Sequence, residues 1–198
     1  MMNKAVFLAL NILMALVVLP VVASAEPVYF RGTETFESKK DKAKQKSPLA
    51  IPGTPVLMEI DVAPSKDKIT QRVIRPAPGD PSSMQVATIE FKKQGSGWTW
   101  TDHNNSPPQA ATVTLRGDSL ESIAWTFLRP KMKFVGLLEI KNRIALNSVV
   151  KTKSPKDKEF SSTTVDAGLI LKNQWDNSLK GKKLVPRPPP AAPKAPGK

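Results

Sequence analysis

The sequence predicts an all-β domain: an antiparallel up-and-down meander closing into a barrel or half-barrel, with a β-sandwich as second choice. Three observations predict it. Apolar residues recur with period two along most of the chain, short Gly-, Asn- and Asp-bearing segments join the runs, and no stretch before Leu169 combines a 3.6-residue repeat with caps. Alternation places one file of side chains on each face of a strand, so one face is buried while the other meets water.

The chain opens with MMNKAVFLALNILMALVVLPVVASA: a positive Lys4, an apolar run from Ala5 to Leu19, a break at Pro20 and the small residues Ala23-Ser24-Ala25. That order is the pattern of an export signal cleaved after Ala25, so the expected location is periplasmic or secreted. The other use of such a run is an uncleaved membrane anchor, against which Pro20 and the small residues argue. Without its signal the product carries 29 basic and 17 acidic residues, a balance of +12, and is about one-third apolar.

Ten strand candidates follow. Val28–Phe36, Val56–Val62, Lys68–Arg75, Met84–Lys92 and Gly97–Asp102 form the first half. Ala111–Leu115, Ile123–Phe127, Met132–Ile140, Ile144–Val150 and Ser162–Leu171 form the second. Lys141-Asn142, Gln94-Gly95-Ser96-Gly97 and Arg116-Gly117-Asp118-Ser119 read as hairpin turns, because Asn and Gly tolerate positive φ. Neighbours in such a meander become neighbours in the sheet, and closure removes both exposed edges. A short helix around Leu169–Leu179, with Asp166 as a distant cap, is the one helical candidate. The β domain therefore spans 26–179. Residues 180–198, with six basic residues, six prolines and no acid, read as an extended, disordered tail.

Composition narrows the function. No Cys and a single His leave no disulfide framework, thiolate zinc site or cysteine nucleophile, so neither a metal nor another cofactor is expected. His103 beside Asp102 lies in a polar loop with no Ser in a nucleophile-elbow pattern, and the strand carboxylates Glu59, Asp61, Glu90 and Glu139 show no defined pairing. The reading is a non-enzyme.

Two features point to binding. Trp98 and Trp100 share a strand face and, with Trp125, Phe127 and Phe134, would line a barrel interior suited to an apolar or amphipathic small ligand such as a lipid. The more common use of such aromatics is plain core filling. Gly136, between Phe134 and Leu138, marks a bend or a close approach. The second feature is basic: Lys39, Lys40, Lys42, Lys44 and Lys46 in one segment, Lys151, Lys153, Lys156 and Lys158 in another, and Lys182 and Lys183 in the tail. Such clusters attract anionic phospholipid, lipopolysaccharide or cell-wall polymer without fixed geometry, although most charge runs are only solvated. Nucleic acid is not an expected partner, because no aromatic reading motif framed by Arg accompanies the charge.

Overall fold

A computed structural model of the chain describes residues 26–37, 53–102, 108–129, 132–153 and 160–187. The signal segment, the loop holding His103, residues 188–198 and Lys39, Lys40, Lys42, Lys44, Lys46, Lys156 and Lys158 lie outside the described residues.

The strands are β1 (Val28–Glu37), β2 (Thr54–Val62), β3 (Lys68–Ala77), β4 (Asp80–Gln94), β5 (Gly97–Asp102), β6 (Gln109–Arg116), β7 (Ser119–Arg129), β8 (Met132–Lys141), β9 (Ala145–Lys153) and β10 (Ser161–Ile170). Helix α1 (Lys172–Leu179) and strand β11 (Lys183–Pro186) complete the fold. Each of the ten strands pairs antiparallel with its sequence neighbours, and β1 pairs with β10, so the meander closes into an up-and-down barrel. Barrel, rather than sandwich, is the answer. Closure brings β10 hard against β1: a Cβ on Gly32 would lie 1.9 Å from the Asp166 carbonyl oxygen. Only a residue without that carbon fits the seam.

Turn chemistry sets the registers. Asn142 and Arg143 both take positive φ, 52° and 62°, and the Ile144 N–H donates to the Lys141 carbonyl. That is the mirror-image turn whose twist matches the strands it joins, one residue later than the Lys141-Asn142 pair suggests. Gly95 and Gly117, also at positive φ, close the β4–β5 and β6–β7 hairpins.

One apolar cluster fills the barrel, drawn from Phe30, Met58, Ile69, Phe91, Trp100, Ile123, Trp125, Leu138, Leu146, Val165 and their neighbours. The outward files are mixed: apolar residues such as Leu137 alternate there with polar pairs, Glu59 with Arg72, Glu90 with Lys68 and Lys92, and Asn147 donating to Asp166. Among the described residues, no helix is long and apolar enough to cross a membrane.

A second, smaller core lies outside the wall. Leu57, Ile74 and Met84 project outward from β2, β3 and β4, and Trp175 of α1 packs over them with Tyr29 at 4.9 Å between ring centroids. The helix begins at Lys172 rather than near Leu169. Its start is closed by the Gln174 side chain, whose oxygen accepts from the Leu171 N–H, while Asp166 belongs to β10. The stretch assigned to the tail also begins with order. Lys183–Pro186 pair in parallel with Ser83–Val86 of β4, because β4 extends past the hairpin that binds β5 and offers a free edge there.

Candidate functional site

The up-and-down topology gives the barrel two unlike ends. Tight connections join β2–β3, β4–β5, β6–β7 and β8–β9 at one end, which we term the turn end. At the other, the loop end, lie the long connections β1–β2, β5–β6 and β9–β10 together with the short β3–β4 and β7–β8 connections.

The five aromatic residues read from the sequence come together inside the barrel. Trp98 and Trp100 point to the same side of β5, and Phe91 of β4, absent from the sequence-based set, joins them as a fully buried neighbour. Trp100 meets Phe127 at 5.5 Å and Trp125 at 6.4 Å, both edge-on, and Phe127 lies 5.8 Å from Phe134. Edge-on rings offer the positive rim of one to the negative face of the next. Trp125 owes its position to Gly136, its cross-strand partner: a Cβ there would fall 2.1 Å from the indole. The close approach at Gly136 is therefore made by the protein's own tryptophan. Trp98 is only partly buried, nearer the turn end, and packs against the edge of the cluster. Phe134 is also partly buried, toward the loop end.

The inward files change character along the axis. Toward the turn end they carry Phe30, Ile60, Val62, Ile69, Leu120 and Leu146. Toward the loop end they carry Glu34, Arg75, Gln85, Gln109, Thr152 and Thr163. Glu34 shares the file of Phe30 and Gly32, and Arg75 that of Gln71 and Val73. The Arg75 Nε donates to Glu34 in an ion pair reaching across the inner face of β2, with side-chain exposures of 26% and 18%. Partial burial of both charges is tolerable because each satisfies the other.

Among the described residues, two buried side-chain polar atoms inside the wall have no hydrogen-bond partner, the Trp100 Nε1 and the Gln71 Oε1. Ser148, also buried, is not among them.

The described lysines sit on the outer surface and the C-terminal strand. Lys151 projects outward from β9, and the Lys153 ammonium lies 5.5 Å above the Phe160 ring. Lys182 donates to the Pro81 carbonyl at 2.8 Å, and Lys183, opposite Ser83, adds its positive charge near Asp80. Hydrogen bonds from the Ser82 hydroxyl, then Ser83 and the Ser82 N–H, hold the Asp80 carboxyl down at about 2, with help from Lys183. The carboxylates Glu59, Asp61, Glu90 and Glu139 all occupy outward files, and none faces the interior.

Glu34, Arg75, Gln71 and Phe91 escaped the sequence reading. Ile69-Gln71-Val73 is an alternating file with one polar member, which is the signal that would have found Gln71. No family model matches this chain, and no curated protein matches it.

Proposed function

We propose that the protein is an exported, non-enzymatic binding protein of the bacterial envelope that holds an apolar or amphipathic small molecule at the loop end of its barrel. The observation that carries this reading is the polarity gradient of the inward files. A purely structural core has no use for an ion pair and a ring of hydroxyl and amide side chains above its aromatic layer, since inward polar groups cost desolvation. An amphipathic ligand uses both: its apolar part meets Phe127 and Phe134, and its polar groups meet Glu34, Arg75 and their neighbours. Export rests on the N-terminal pattern alone.

The test is native mass spectrometry of protein purified from its producing cells, followed by organic extraction. A noncovalent adduct lost on extraction is the expected result. A bare chain, with nothing extracted and no uptake of added amphiphiles, contradicts the reading.

A second reading has its own support. Both Lys-rich connections, β1–β2 and β9–β10, leave the barrel at the loop end from adjoining strand pairs. Charge gathered at that end would draw the protein to anionic lipid or wall polymer. Sedimentation with anionic vesicles at low salt, reversed at high salt, is the expected outcome; salt-independent binding removes this reading.

A further inference from the structure

We propose that Trp100 and Gln71 together read one neutral group of the ligand that both accepts and donates a hydrogen bond, a hydroxyl or a secondary amide. This assignment rests on the reading of the barrel as a small-molecule binder and names the class of ligand. Trp100 is 6% exposed and Gln71 3%, yet the indole N–H has no acceptor and the amide oxygen no donor. Buried polar groups are nearly always paired, so each unpaired one calls for a partner. Here the two are complementary, one donor and one acceptor.

Gln71 faces Ile89 and Trp100 faces Phe91, so the two flank strand β4 from β3 and β5, one inward step apart. Both side chains project into the lumen. A carboxylate would leave the Gln71 oxygen facing another acceptor, and an ammonium would face the indole donor; a hydroxyl or N–H/C=O pair suits both. The Phe127 ring, 5.5 Å from that of Trp100, supplies an apolar wall beside that group.

The experiment compares 1-decanol with 1-methoxydecane, binding to the full chain being followed by calorimetry. The ether keeps the acceptor for Trp100 and loses the donor for Gln71. Wild-type protein should bind the alcohol about tenfold more tightly. Gln71→Leu should abolish that preference, while Trp100→Phe should weaken both compounds and keep the ratio. Without ligand, Gln71→Leu should also raise Tm by about 3 °C, because an unsatisfied buried amide gives way to an apolar side chain of similar size. A wild type that binds both compounds equally overturns the assignment alone. A fall in Tm for Gln71→Leu overturns it too, since Gln71 would then serve the fold through an internal water. Failure of the wild type to bind either compound overturns the binding reading and this assignment with it.

Discussion

The two ends of the barrel interior are made by the same ten strands and obey different rules. Toward the turn end the inward positions are mostly apolar, with Gln71 and Ser148 as buried exceptions, and Phe30, Ile69, Leu120 and Leu146 pack together there. At the loop end the same files continue as Glu34, Arg75, Gln85 and Thr163. Burial of apolar area stabilises by about 25 cal/mol per Å², whereas an inward ion pair contributes little net stability. One end therefore holds the fold, and the other is the end to which we assign the proposed guest.

Phe91→Ala should break the turn-end side of this contrast most severely. Phe91 is fully buried beneath Trp125, ring centroids 6.1 Å apart, and its loss should cost about 3–5 kcal/mol in urea denaturation. A cost below about 1 kcal/mol would mean that the lumen is not packed there.

Gly136→Ala tests the boundary between the ends. The added methyl must displace the Trp125 ring, so stability should fall by about 1–3 kcal/mol, with a shift in tryptophan emission as the indole moves. Unchanged emission would place Trp125 elsewhere.

Glu34→Gln should cost about 1 kcal/mol, since the pair with Arg75 is only partly buried. If it costs as much as Phe91→Ala, the loop end is structural too and the contrast fails.

The smallest effect belongs to the outer edge where β11 joins β4. Asp80 titrates at about 2 in the folded chain against an ordinary 3.8. A depressed carboxyl favours the fold above the ordinary value, and that help is lost as pH falls from about 3.8 through 2. Asp80→Asn should remove this part of the acid dependence of Tm and leave Tm near neutral pH slightly lower; identical acid limbs would show that Asp80 is unperturbed.

Much of the architecture was legible because it follows from local pattern. Alternation marked the ten wall strands, Gly95 and Gly117 marked their turns, and shared parity put Trp98 and Trp100 on one face. Closure was legible only as a preference, since the β1–β10 pairing joins Tyr29 to Ile170 across nearly the whole domain. The start of α1 was misplaced because its cap comes from Gln174 and not from an acidic or hydroxyl residue before the helix. β11 was hidden in a Pro- and Lys-rich stretch, where its order depends on the free edge of β4 and not on its own residues. In the site, the aromatic members were visible as large apolar residues in files. Glu34 and Arg75 were not, because polar residues near strand ends look the same in sequence whether they face water or the lumen.

The chain holds four tryptophans, so its indole N–H region in a two-dimensional NMR spectrum should show four signals. Titration with 1-decanol should move the Trp100 signal most and leave that of Trp175, outside the wall under α1, in place. Four unmoved signals, or a shift confined to Trp175, would contradict a guest inside the barrel.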